Sequence, residues 1–276
     1  MRHLWLALIS ALLLPGVAGA GELRQLRSLD DIRAWQAVGR LEIDRNTTCS
    51  GVLISRRHVL TAAHCVLRDG RAELPGKLLF RVGFRDGGFV ESHPAAAVRI
   101  NETYMRLGDP EPGTEGFARA RRHDLAVIEL AREVTSLSVE PFALGRKVRA
   151  GQPVSVISYG QGRNNAPSLQ DKCMVLGLHE AAPVMNCDLT FGSSGAPVFV
   201  TEGGAPRVVS IVSAVRRKGS ETYAVGASEM DWVRQVMTAD AARPTGQPVR
   251  LTRLSLGPLS RHLVRLAPSR LPQIPD

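Results

Sequence analysis

The sequence predicts an all-β fold, and three observations carry that expectation. Short apolar runs rich in Val, Ile and Leu recur along most of the chain. Clusters of turn residues punctuate them, as in Arg85-Asp86-Gly87-Gly88 and Gly162-Arg163-Asn164-Asn165. Helical periodicity is scarce. Many short strands joined by frequent turns read as a sandwich or a barrel. At 276 residues and 44% hydrophobic composition, the chain can bury one full core or two smaller ones. Aromatics make up only 5% of it, so that core is not a richly aromatic one.

The elements follow in order. Arg2 and His3 precede an apolar run from Leu4 to Leu14, then Pro15 and the small residues Ala18-Gly19-Ala20. A basic start, a short apolar stretch and an Ala-x-Ala site predict a secretory signal peptide over residues 1–20, hence a secreted or periplasmic protein. The run is shorter than the roughly 18 apolar residues of a membrane span, and no later stretch reaches that length, so no transmembrane segment is expected. A polar lead, 21–34, comes next. Strands are expected at Gly51–Ile54, His58–Leu60, Leu78–Val82, Asp124–Leu130, Val154–Tyr159, Cys173–Leu176, Pro197–Val200 and Val208–Val212. One helix is expected over 229–238. Ser228-Glu229-Met230-Asp231 has capping-box form, and Trp232, Val233, Val236 and Met237 share one face. From 241 to 276 arginines such as Arg243, Arg250 and Arg261 alternate with leucine and proline. This basic tail reads as a flexible or loosely docked extension, with a cleaved propeptide or a tether to anionic surfaces as its functional alternatives.

The formal charge of +9 is spread along the chain. No recognition-helix or RNP-like pattern accompanies it, so no nucleic-acid partner is expected. The four cysteines, Cys49, Cys65, Cys173 and Cys187, form two close pairs far apart in sequence. Three connectivities are possible. Export favours disulfides, and local pairing of Cys49 with Cys65 and of Cys173 with Cys187 closes two short loops. Structural zinc sites use tighter C-x₂₋₄-C spacing, so no metal is expected, nor any other cofactor.

Three segments carry chemistry. A serine that attacks an amide needs a base, a group that holds the base in one tautomer, and donors for the oxyanion. His64 ends an apolar strand, beside Cys65, which can pin its loop to Cys49; an isolated histidine would otherwise read as a buried structural one. Asp124 opens the apolar run Leu125-Ala126-Val127-Ile128, where a buried carboxylate needs compensating partners. The plainer reading is a strand-capping acid. Ser194 sits in Gly192-Ser193-Ser194-Gly195-Ala196-Pro197 ahead of an apolar strand. A glycine-flanked serine on a tight turn exposes its Oγ, although this hexapeptide alone would pass for an ordinary turn.

Together these segments resemble the trypsin-like (chymotrypsin-fold) serine proteases. Thr61-Ala62-Ala63-His64-Cys65 matches that family's histidine box, and Asp124-Leu125-Ala126-Val127 its aspartate strand. Gly192 to Pro197 matches its Gly-Asp-Ser-Gly-Gly-Pro box in four of six places, and the order His64, Asp124, Ser194 is the family's. The likeness runs from about Trp35 to the helix at Trp232. It implies a peptidase domain over 35–240, built as two six-stranded antiparallel β-barrels, roughly 35–145 and 146–228, with a C-terminal helix. It further implies Ser194 as nucleophile, His64 as general base, Asp124 as its orienter, and the Gly192 and Ser194 amides as oxyanion hole. The partner implied is a polypeptide substrate, and the protein is read as a monomer.

Two departures matter. Ser193 stands where trypsin-like zymogens carry Asp, and no Arg-Ile-Val-Gly-Gly stretch is present; the corresponding region reads Trp35-Gln36-Ala37-Val38-Gly39. Activation by a new amino terminus pairing with that acid is therefore not expected. A small or polar residue there resembles bacterial members, including the glutamyl-endopeptidase branch. Asp188, in the register of an acidic pocket base, suggests a preference for Lys or Arg, with a small apolar side chain as the alternative because its cysteine neighbour is displaced relative to trypsin. Ser213 is expected to line the cleft, and Val212 stands where glutamyl endopeptidases carry a histidine, which disfavours glutamate at that pocket. The alternative from another class is an inactive homologue acting as a binding module. Asn46 and Asn101 begin Asn-x-Ser/Thr matches, which mean surface glycosylation only in a eukaryotic secretory pathway.

Overall fold

The computed structural model describes residues 23–44, 47–219 and 221–242. The expected signal peptide, the tail beyond residue 242 and Asn46 lie outside the described residues. Within the polar lead, β1 (Leu23–Gln25) forms a strand that was not expected. It is followed by α1 (Leu29–Ile32), where Ser28 and Asp31 build a reciprocal capping box.

The first barrel starts after Trp35. Its strands are β2 (Val38–Ile43), β3 (Thr47–Leu53) and β4 (His58–Thr61). The one-turn helix α2 (Ala63–Val66) and the small hairpin β5 (Leu67–Arg68) and β6 (Arg71–Ala72) come next. β7 (Leu78–Val82) and β8 (Glu91–Ile100) follow. Two short helices, α3 (Glu102–Leu107) and α4 (Phe117–Arg122), precede β9 (Ala126–Leu130). The sheet closes in the order β2-β3-β4-β9-β8-β7. Alternation is clean in β7, where Leu78, Phe80 and Val82 are buried, because successive side chains of a strand take opposite faces. β9 is buried on both faces.

The second barrel comprises β10 (Pro153–Ser158), β11 (Ser168–His179), β12 (Ala182–Met185), β13 (Pro197–Glu202), β14 (Ala205–Lys218) and β15 (Glu221–Ala227). The order is β11-β10-β13-β14-β15-β12, the pairing of β11 with β12 closes the ring, and β1 adds to β11 as an outer strand. All strand pairs in both barrels are antiparallel, giving two six-stranded barrels as the resemblance implies. A valine-rich cluster, with Val154, Val156, Val198 and Val212, fills the second. Trp35, Phe142 and Phe199 pack against one another at centroid distances of 4.7–5.7 Å, Trp35 and Phe142 stacked and Phe199 tilted to both.

The last helix, α5, spans Met230–Ala241 and returns from the second barrel to pack on the core of the first through Met230, Val233, Val236 and Met237. It begins one residue later than expected and extends three residues further. The capping box does not form: Glu229 is the N-cap without a side-chain bond, and the Ser228 hydroxyl donates to the Ala181 carbonyl at 2.8 Å. Near its end, Asp240 accepts from Arg99 at 2.5 Å and lies 3.2 Å from His58 Nε2. Asn101 is buried, and its side chain accepts from the Thr103 and Tyr104 amides as the N-cap of α3, so it is not a surface glycosylation acceptor.

Candidate active site

The cleft is assembled from both barrels. β4 delivers the chain into α2, so His64 emerges on the first turn after a buried strand. A Cys49–Cys65 disulfide of 2.03 Å ties that turn to β3. The second disulfide joins Cys173 to Cys187 within the other barrel, so both bridges follow the local pairing.

Asp124 lies between α4 and β9 with no exposed surface. A buried carboxylate costs several kcal/mol unless its oxygens are satisfied, and here both are. Oδ1 accepts from the His64 backbone N–H at 2.8 Å. Oδ2 meets His64 Nδ1 at 2.6 Å and accepts from the Ser213 hydroxyl at 2.5 Å. Burial alone would push the Asp124 carboxyl up, but the His64 charge and these hydrogen bonds hold it below the ordinary range. Burial would likewise lower the His64 pKa, yet the Asp124 charge and its hydrogen bond raise it above 6.5. An ionised carboxylate only accepts, so Nδ1 carries the proton and Nε2 is left as the basic nitrogen.

Ser194 occupies a turn between Gly192 (φ +85°) and Gly195 (φ +78°). Both glycines are required by φ, and a Cβ on Gly195 would stand 2.2 Å from the Ser50 carbonyl oxygen and from Thr61 Oγ1. Within the turn the Ser193 amide donates to the Thr190 carbonyl at 3.1 Å, and the Gly195 amide donates across to the Val212 carbonyl of β14 at 2.9 Å. Among the described residues, the Gly192 and Ser194 amides have no such partner.

Ser50 was not singled out by sequence, yet it holds the turn. Its amide donates to the Ser194 carbonyl at 2.8 Å, its hydroxyl donates to Gly192 O at 3.2 Å, and that hydroxyl accepts from the Tyr159 amide at 2.9 Å. Its only sequence signal is its place beside Cys49. Ser193 is fully buried, and its hydroxyl donates to Ser158 Oγ at 3.1 Å.

His64, Ser194 and Ser213 line one cleft of about 610 Å³ together with Thr190, Phe191 and Gly192. Asp188 is exposed, lies outside that lining, and its charge acts on Arg163. Arg121, also passed over by sequence, is buried beside the pair: one guanidinium nitrogen is 3.8 Å from Asp124 Oδ2 and another bonds Asp109. Elsewhere, His58, Glu129 and Asp240 bring ligand atoms within 4.8 Å of one another. Arg99 pairs with both of these carboxylates and Arg57 with Glu129, so guanidinium groups supply the cations there.

Two β-barrels with a buried Asp–His pair and a glycine-flanked serine on one cleft define a chymotrypsin-fold architecture. A family profile described as "Trypsin-like peptidase domain" matches residues 49–209, and the chain belongs to that family. It is 25% identical over 240 residues to phenoloxidase-activating enzyme 1 of Spodoptera litura, covering 74% of this chain and 64% of that protein. It is 27% identical over 187 residues to clotting factor C of Tachypleus tridentatus, covering 61% and 17%. It is 29% identical over 172 residues to serine protease 23 of Bos taurus, covering 56% and 44%. The chain thus spans less than two thirds of each of these relatives. They are animal proteins, where the sequence pattern points towards the bacterial branch. A thermostable serine protease, AL20, from an extremophilic microorganism shares the fold, with TM-score 0.59 and 16% identity over 76% of this chain and all of that one.

Proposed function

We propose that this protein is a secreted or periplasmic serine endopeptidase that cleaves peptide bonds through an acyl-enzyme on Ser194. The observation that carries the reading is the buried Asp124 carboxylate bonded to His64 Nδ1, on the wall of the cleft that Ser194 lines. His64 Nε2 takes the Ser194 proton as Oγ attacks the scissile carbonyl carbon. Asp124 holds the tautomer and stabilises the imidazolium, which then protonates the leaving amine. A water activated by the same nitrogen releases the acyl group. The Gly192 and Ser194 amides receive the oxyanion, a role supported by the commitment of the Ser193 and Gly195 amides to the Thr190 and Val212 carbonyls.

The Ser193–Ser158 hydroxyl pair supports a turn that forms without a buried acid and a new amino terminus. Export is supported by the two disulfides, and no helix among the described residues is long and apolar enough to cross a membrane. The preference for Lys or Arg loses its basis, since Asp188 lies outside the cleft lining.

The test is labelling by a neutral fluorophosphonate together with turnover of a quenched peptide library, with Ser194→Ala as control. Labelling and turnover that vanish in Ser194→Ala are expected. A wild-type protein that takes up no label and cuts nothing would instead be a binding-only homologue.

A further inference from the structure

We infer that the cleft selects peptides carrying an acidic side chain two to four residues from the scissile bond, and that Arg216 reads it. This rests on the protease reading above. The cleft lining contains three cationic side chains, Arg68, Arg121 and Arg216, and no Asp or Glu among the described residues.

The three cations are not equally available. Arg121 is buried and committed to Asp109 and the Asp124 side of the site. Arg68 faces Glu73 at 3.9 Å. Arg216 takes part in no ion pair among the described residues. Its guanidinium stands 5.5 Å from the centroid of Phe117, the ring that also carries Arg121 at 4.8 Å. Stacking on an aromatic face positions a guanidinium without consuming its N–H donors. A planar fork with free donors, partly shielded from water by a ring, matches a carboxylate.

Position along β14 sets the distance from the chemistry. Ser213, Ala214, Val215 and Arg216 line the cleft consecutively, and Ser213 is the residue bonded to Asp124. Three steps of strand cover about 10 Å. A substrate extended along this edge with its scissile bond at Ser194 brings to Arg216 a side chain a few residues away. Substrates with lysine there meet like charge at Arg216 and the neighbouring Arg121, which disfavours them.

The test uses quenched peptides identical except for Glu, Gln or Lys at each position up to four residues from the cleaved bond. Wild-type protein is expected to cut the best Glu peptide with kcat/KM about tenfold above its Gln counterpart, with Lys slowest. The ratio should shrink as salt rises from about 0.05 to 0.5 M. Arg216→Gln should lose the preference and Arg216→Glu should invert it towards Lys, each read as the ratio of kcat/KM for the Glu, Gln and Lys peptides within one protein. As a readout without turnover, Ser194→Ala protein should bind the labelled Glu peptide about tenfold tighter than the Gln one. A labelled enzyme that favours Gln or Lys, or an Arg216→Gln variant that keeps the Glu preference, overturns this inference alone. A wild-type protein that neither labels nor cleaves overturns the protease reading itself.

Discussion

The Ser213 hydroxyl donates to Asp124 Oδ2 at 2.5 Å, and the same oxygen holds His64 Nδ1 at 2.6 Å. β14 of the second barrel thereby clamps a carboxylate that belongs to the first. One oxygen thus serves a donor from each barrel.

Ser213→Ala removes one of those donors and leaves a buried carboxylate short of a bond. A hydrogen bond to a charged group is worth about 1.5–3 kcal/mol. The expected outcome is a fall in kcat of about tenfold or more with KM changed less than about twofold, and partial recovery in Ser213→Thr. Steady-state kinetics on one peptide checks it.

On the proposed mechanism Asp124 also sets the pH profile. His64 must be neutral to accept a proton, so kcat/KM rises as pH climbs through its pKa. Burial lowers that pKa, but the Asp124 charge outweighs it, so the acid limb should lie above the ordinary 6.5. Asp124→Asn removes the charge and should move the limb to lower pH. It should also cost about 10⁴-fold in kcat, as that exchange does in the Ser-His-Asp triad of this family. A limb that does not move in Asp124→Asn would show that another group limits the rate.

The site was more legible than the barrels around it. His64, Asp124 and Ser194 stand out only together: each alone passes for a structural histidine, a strand cap or an ordinary turn, and it is the three segments in that order that carry the resemblance. β8 was missed because its sequence, with Pro94 and three alanines, lacks the aliphatic run of a strand. Pro94 nevertheless pairs opposite Leu79, so tertiary pairing overrides propensity. β1 escaped notice because three residues of mixed polarity become a strand only when β11 offers its edge. Arg121 carries no local signal, and Ser50 none beyond its place beside Cys49. Their partners, Gly192, Tyr159 and Asp109, are distant in sequence or ordinary in type.

Ser193 and Ser158 test the activation reading. Both hydroxyls are buried, and Ser158 Oγ is also 3.5 Å from an Arg163 nitrogen. Each single change to Ala strands one hydroxyl and should cost about 1 kcal/mol, whereas the double change should cost less than the sum. Chemical denaturation of the four proteins closes the cycle. Fluorophosphonate labelling of wild type should be equally fast with or without residues added ahead of position 21, because this turn needs no free terminus.

Asp240 anchors α5 to the first barrel through Arg99 and His58. Asp240→Ala leaves the partly buried Arg99 with one carboxylate fewer. We expect a loss of about 3 kcal/mol and a Tm lower by roughly 6–12 °C, with the labelling rate of Ser194 unchanged below the transition. His58 gives the pH sign. Its pKa is lowered by burial against the pull of Asp240 and Glu129. The unfolded chain therefore binds its proton more readily, and stability should fall as pH drops below about 6.5. Thermal melts across pH 5–8 should show it as the difference between wild type and His58→Gln, because His64, whose pKa is raised, acts in the opposite direction.

Gly195 separates backbone strain from steric exclusion. It shares φ +78° with Gly204, but a Cβ at Gly204 meets nothing within 4 Å. Alanine at either position bears the left-handed strain, about 1 kcal/mol. At Gly195 the new methyl also stands 2.2 Å from the Ser50 carbonyl oxygen and Thr61 Oγ1, on strands of the other barrel. The turn must then lift away from β3 and β4, carrying Ser194 and the Gly192 amide with it. Gly204→Ala is expected to lower Tm slightly and leave kcat/KM unchanged. Gly195→Ala should lower kcat/KM by at least about 10²-fold, the cost of misplacing a catalytic group by an ångström. Equal losses in the two variants would mean that the contact with Ser50 and Thr61 plays no part in holding the nucleophile.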